Sequence, residues 1–197
     1  MTTADNNAPL KGLVLCGGYS TRMQEDKSMI AYHGVPQWQY LTRLLQSVLE
    51  EVFISCRPEQ AALFDYPQLI TDNVPNGGPS AGILSAHRQQ PDTAWLVLAC
   101  DLPLITAQTP ELLIRSRDPQ QAATAFISPV NELPEPLIAI WEPAGLQALW
   151  QNVMIENKNC PRKTLLSASI KLLTHPFAAE QFNANTQEEK QEALRKR

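Results

Sequence analysis

Short apolar runs and amphipathic stretches alternate along this chain, and the alternation predicts strand followed by helix, repeated. KGLVLC (Lys11–Cys16) is an apolar run that stops at Gly17, as a buried strand does. PQWQYLTRLLQSVLEE then opens on Pro36, which suits a first helical turn. Its Trp38, Leu41, Leu45 and Val48 fall three, four and three residues apart, on one helical face. Glu51–Cys56 and Gln68–Asp72 predict a second and a third strand, with a short helix over PEQAALF between them. NVPNGGP is a turn by its prolines, glycines and asparagines, and Ser80–Gln90 is a helix. AWLVLAC (Ala94–Cys100) has no polar alternation and predicts a fourth strand buried on both faces. Thr109–Arg117 predicts a helix with Thr109 as its N-cap. ATAFIS and PLIAIW predict strands, Pro143–Val153 a helix and IKLLTH a last strand. A terminal helix follows, with Thr186 and Glu189 at capping-box spacing.

Such an order predicts an α/β fold, a parallel sheet covered by helices on both faces. The 197 residues suffice for one domain. We expect a flexible tail over residues 1–10 and a single domain over 11–197. Trp38, Trp141 and Trp150 are expected in the core, and His33, His87 and His175 on the surface or in turns.

A net charge of −4 argues against a protein that coats nucleic acid but leaves room for a small anionic ligand. The first ten residues do not resemble a signal peptide. The apolar runs are too short to cross a bilayer, so the expectation is a soluble, cytoplasmic protein with no membrane contact. The four cysteines lie 40, 44 and 60 residues apart with no CxxC pair, so neither a zinc site nor a disulfide framework is expected. Cys16, Cys56 and Cys100 each end a predicted strand. They would share one rim if the second, first and fourth strands lie side by side, as buried, reduced thiols rather than as a soft-metal site.

Candidate chemistry gathers at strand ends, where open parallel sheets bind ligands. Gly17 and Gly18 offer bare backbone donors for phosphate oxygens or a base edge. Ser20 adds a hydroxyl, Arg22 a two-pronged phosphate grip and Lys27 a point charge. The loop matches neither GxxxxGK[ST] nor GxGxxG. Asp101 follows the fourth strand and would face that loop if the first and fourth strands are neighbours. A carboxylate beside phosphates calls for a cation, and Mg²⁺ takes one or two carboxylates plus phosphate oxygens. Asp72, also at a strand end, either accepts from a base or ribose or starts the turn. Arg162, in CPRK, is a second basic spot that either grips an acceptor or caps a solvated turn.

Taken together, LVLCGGYSTRMQEDK, GPSAG (Gly78–Gly82), CDLPL (Cys100–Leu104), LPEPLIAIWEP and NANT (Asn183–Thr186) resemble the molybdenum cofactor guanylyltransferase (MobA-type) family of nucleotidyltransferases. The resemblance covers nearly everything after residue 10. It implies a three-layer α/β/α, mostly parallel Rossmann-like sheet, the nucleotidyltransferase fold. It further implies transfer of GMP from GTP to molybdopterin or molybdenum cofactor, with pyrophosphate leaving. By the same resemblance Leu15, Cys16 and Gly17 meet the guanine through backbone groups, and Gly18 and Gly78 belong to the nucleotide site. Arg22 and Lys27 hold the triphosphate, Asp72 meets the nucleoside and Asp101 binds Mg²⁺. Asn183 and Asn185 lie on the acceptor side or near the metal. Transient contacts with proteins that donate or accept the cofactor are compatible with this picture. The chain departs from the family at Gln24 (usually Gly), Cys16 (usually Ala), Cys56 (often Asn) and Gln187 (usually Pro). Competing readings are a cytidylyltransferase, another nucleotidyltransferase with a small phosphorylated acceptor, and a non-catalytic nucleotide-binding regulatory subunit.

Overall fold

The computed structural model of the chain describes residues 7–18, 23, 25–75 and 77–196. Seven strands form one sheet: β1 (Leu10–Leu15), β2 (Val52–Cys56), β3 (Leu69–Thr71), β4 (Ala94–Ala99), β5 (Ala123–Ile127), β6 (Pro134–Trp141) and β7 (Lys171–Leu173). Their order across the sheet is β3-β2-β1-β4-β6-β5-β7. All neighbours are parallel except at β6, which runs antiparallel to both β4 and β5. The expected mostly parallel sheet is therefore present, with one reversed strand. β1 and β4 are paired, Leu15 opposite Ala99. Leu10, assigned to the tail by the sequence, already belongs to β1.

Successive side chains of a strand point to opposite faces, so one strand feeds two cores. Val14, Leu96, Leu98, Ile138 and Ile140 pack with Trp38, Leu41 and Leu45 of α1 (Gln37–Gln46) and Leu113 of α3 (Gln108–Ser116). Leu13, Trp95, Val97, Ala139 and Trp141 pack on the other side. Their partners are Ile83 and Leu84 of α2 (Ala81–Gln89), Leu146 and Leu149 of α4 (Pro143–Met154) and Leu165 of α5 (Pro161–Ser167). These are the three layers. A small third core joins Met23, Ile30 and Tyr32 to Ala184 and to Ala193 of α6 (Gln187–Arg195).

Several expectations need correction. The first helix stops at Gln46, where the Ser47 hydroxyl donates to the Leu44 carbonyl and N–H groups after it turn back to Leu45. Thr109 lies inside α3 and is not its cap, because its hydroxyl is taken by Glu180 and His175. His87 and His175 are buried instead of lying on the surface. The CPRK segment is the start of α5, with Pro161 in its first turn. Thr186 does cap α6, and Glu189 completes the capping box.

Candidate active site

The carboxyl ends of β1 to β4 open onto a cavity of about 610 Å³. Leu15, Cys16, Gly17, Gly18, Lys27, Asp72, Gly78 and Asp101 all line it, so the fold brings these candidate residues together. Ser20, Arg22 and Gln24 lie outside the described residues.

Gly17 is required by a close approach. A Cβ there would sit 2.2 Å from Asp72 Oδ2 and collide with it. Asp72 is held in that place because its Oδ1 accepts the Ser55 hydroxyl and its N–H donates to the Cys56 carbonyl (2.8 Å). Burial raises the Asp72 carboxyl above its ordinary range, and the Ser55 bond and the Arg57 charge act against that. Arg57, also on the cavity wall, donates from Nη1 to the carbonyls of Gly17 (2.8 Å) and Gly18 (2.9 Å). In a trans peptide the C=O and N–H point opposite ways, so capture of the Gly17 carbonyl turns the Gly18 N–H away from Arg57. Across the cavity Gly78 takes φ +50, a left-handed backbone that glycine adopts without strain. The turn it makes brings Ala81 and Gly82, the first residues of α2, to the cavity wall, with the Ala81 N–H donating back to the Gly78 carbonyl.

Asp101 sits two residues beyond the last β1–β4 pair, Leu15 opposite Ala99, on the loop that follows Cys100. Four elements hold that loop by its backbone. Gln37 donates to the Leu102 carbonyl (2.9 Å), Tyr40 donates to that of Ile105 (2.8 Å), and His33 lies 2.8 Å from that of Pro103. The Thr106 N–H donates to Glu180 (3.0 Å). The Asp101 carbonyl itself accepts from Ala184 (2.8 Å). Asp101 Oδ1 is buried and has no hydrogen-bond partner among the described residues. Burial raises this carboxyl; the Lys27 ammonium and a backbone hydrogen bond pull it back, while Glu135 and Glu189 push it further up. An orphaned, buried carboxylate oxygen on a cavity wall is costly unless something pairs with it. Among the described residues no cluster of three His, Cys, Asp or Glu could cage a metal by itself. The donor set therefore suits a hard cation that shares its ligands with a bound phosphate, as Mg²⁺ does.

The C-terminal segment brings Asn185 to the site, where its Oδ1 accepts from Lys27 Nζ (2.6 Å). Asn183 turns instead to the Gln181 carbonyl (3.3 Å). Arg162 does not line the cavity; its guanidinium donates to the Pro134 carbonyl (3.1 Å) and to Glu135 (3.0 Å) at the start of β6. The sequence reading missed Ser55, Arg57 and Leu137 on the wall. Arg57 had a visible signal, since it follows β2 at the same sheet edge as Gly17. Leu137 had none, because it reaches this rim only through the reversal of β6.

The thiols meet on the rim as the strand order requires. Cys16 and Cys100 place their sulfurs 3.2 Å apart, and Cys56 is buried nearby. Burial, then the Cys100 contact, drives the Cys16 thiol well up, and burial pushes Cys56 up to about 11. Both thiols are thus held protonated at neutral pH, and of the three cysteines Cys16 and Cys100 line the cavity.

Comparison with known proteins adds three findings. A family model described as MobA-like NTP transferase domain matches residues 12–169. A molybdenum cofactor biosynthesis bifunctional protein of Synechocystis is 36% identical over 187 residues, 93% of this chain and 53% of the relative, so the chain spans about half of that relative's length. A molybdenum cofactor guanylyltransferase of Pseudomonas fluorescens is 33% identical over 165 residues, 80% of each chain. Among solved structures, molybdopterin-guanine dinucleotide biosynthesis protein A of Archaeoglobus fulgidus superposes with a TM-score of 0.74 at 18% identity, over 94% of this chain and 97% of that one, a likeness of fold.

Proposed function

The chain belongs to the MobA-like NTP transferase family, and from that premise we propose that it transfers GMP from GTP to the terminal phosphate of molybdopterin or its molybdenum-loaded form. The observation that carries this reading is Asp101. Its buried carboxylate oxygen, unpartnered among the described residues, lies on the same cavity wall as the glycine backbone and Lys27. A phosphate oxygen of the acceptor attacks the α-phosphorus of GTP. The bond to the bridging oxygen breaks, and pyrophosphate leaves with that electron pair. The attacking oxygen carries no proton that must be removed, so the site needs no general base. The work is positioning and charge neutralisation.

Each residue's part follows from its place. Leu15, Cys16, Gly17 and Gly18 present backbone to the nucleoside. Asp72, fixed by Ser55, accepts from ribose or base. Lys27 neutralises the leaving phosphates, a part that the family resemblance extends to Arg22. Asp101 is the residue to hold Mg²⁺, and when bound that ion supplies neutralising charge to the phosphate oxygens. Asn185 holds Lys27 from the acceptor side. Among the described residues no helix is long and apolar enough to cross a membrane.

Pyrophosphate release with Mg²⁺ and molybdopterin, run in parallel with GTP, CTP and ATP, tests the reading. Release with GTP alone is expected. Release with CTP alone would keep the chemistry and overturn the base, and no release with any of the three would overturn the enzyme.

A further inference from the structure

The segment that carries Lys27 into the cavity is held from behind by the first turns of α6. Gln187 Nε2 donates to the Met23 carbonyl (2.6 Å) and to Glu25 Oε1 (3.2 Å). Lys190 Nζ, three residues on and so on the same helical face, pairs with the same Glu25 oxygen. Met23 is fully buried against the C-terminal segment, in the small core with Ala184 and Ala193. Lys27 then meets Asn185 on that same segment. Two residues beyond Glu25 the chain has thus reached the cavity, tied at Met23, Glu25 and Lys27 to one stretch of C-terminal chain. The opposite side is held independently, by Gln60 bonding Asp26 and the Cys16 carbonyl.

We infer that Gln187 and Lys190 are positioning residues for the nucleotide phosphates: they clamp Met23 and Glu25 and so fix where the Lys27 ammonium stands relative to Asp101. Neither residue lines the cavity, and neither is assigned a contact with substrate. Their effect is transmitted through the segment they hold. The Lys190 hydrogen bond is the main reason the Glu25 carboxyl lies below its ordinary range, so Glu25 is ionised at neutral pH. The inference rests on the reading of the cavity as an NTP site and adds to it a determinant of nucleotide affinity outside the cavity.

Two kinds of variant test the clamp. Gln187 occupies the first position of α6, where proline is well tolerated, so Gln187→Pro removes the side-chain amide and leaves the helix. Lys190→Glu opposes two carboxylates, and the double variant Glu25→Lys/Lys190→Glu restores the pair with its sense reversed. The readouts are the dissociation constant for GTP with Mg²⁺ by calorimetry and the kcat and KM of transfer. We expect about tenfold weaker GTP binding for Lys190→Glu and about threefold for Gln187→Pro. The loss should fall on KM more than on kcat, and the charge-swapped double variant should recover to within about threefold of wild type. A merely structural pair would lower thermal stability without this recovery of affinity. Wild-type protein that does not bind GTP would remove the reading on which the clamp rests. Wild-type protein that binds, with single variants that bind equally well or a double variant that regains stability but not affinity, would remove the clamp alone.

Discussion

Two residues state the chemistry of the site most plainly. Asp101 is a carboxylate whose buried oxygen has no partner among the described residues, an arrangement that costs stability and is kept where a ligand completes it. Gly17 is a glycine because another carboxylate needs the space: its absent Cβ is where Asp72 Oδ2 now lies, 2.2 Å away. Gly17→Ala therefore has to displace Asp72 from Ser55 or move the β1 loop. We expect GTP affinity to fall about tenfold or more in that variant, read by calorimetry; unchanged affinity would show that Asp72 can leave without consequence. Gly18 offers a contrast, since a Cβ there meets no atom of the described residues within 4 Å. Loss of binding in Gly18→Ala would thus report contact with the ligand rather than damage to the fold.

At the scale of elements, the Asp101 loop is positioned by neighbours that share no sequence proximity with it. α1 supplies Gln37 and Tyr40, and the chain before α6 supplies Glu180. Glu180 also receives the hydroxyls of Thr106 and Thr109, and Thr109 lies 2.6 Å from His175 Nε2. His175 Nδ1 accepts from the Phe177 N–H (2.9 Å), so the ring is neutral with its proton on Nε2. Burial lowers the His175 pKa despite the pull of Glu180. In the unfolded chain the ring titrates near about 6.5. Its contribution to stability is therefore complete above that value and is lost as pH falls through the lowered folded pKa. His87, lowered by burial as well, acts in the same direction, whereas the raised carboxyls of Asp72 and Asp101 act in the opposite one at lower pH. Comparison with His175→Gln, which keeps a donor and an acceptor, isolates the ring. Urea unfolding from pH 7.5 to 5.5 should show a shallower loss of stability in the variant than in wild type, and equal slopes would contradict the assignment. Nothing in the spacing of His175, Thr109 and Glu180 announces this network, because it forms only when α3 meets the returning C-terminal chain. That same contact explains why Thr109, a good cap by composition, does not cap.

For the whole molecule, the chain lays four parallel strands edge to edge and gathers their carboxyl ends into one cavity. The alternation of apolar runs made the layers and the strand ends legible. With β1 and β4 adjacent, Gly17 and Asp101 had to face one another, and Cys16, Cys56 and Cys100 had to share a rim. The reversal of β6 was not legible, since PLIAIW is apolar on both faces in either direction, and with it went Leu137 and the Arg162–Glu135 link. Nor was the return of α6 behind the Met23–Lys27 segment legible, because a capping box marks where a helix starts and not where it docks. The central claim is that a GMP group moves intact from GTP to a phosphorylated acceptor under the control of Asp101. The most direct test follows the label from α-³²P-GTP and from γ-³²P-GTP in the presence of Mg²⁺ and molybdopterin, with wild type beside Asp101→Asn. The account predicts that α-label enters the acceptor and γ-label leaves as pyrophosphate. It predicts also that Asp101→Asn, folded as wild type is, slows both by about a hundredfold or more. Release of γ-label as inorganic phosphate, with α-label remaining in free nucleotide, or transfer unimpaired in Asp101→Asn, would contradict it.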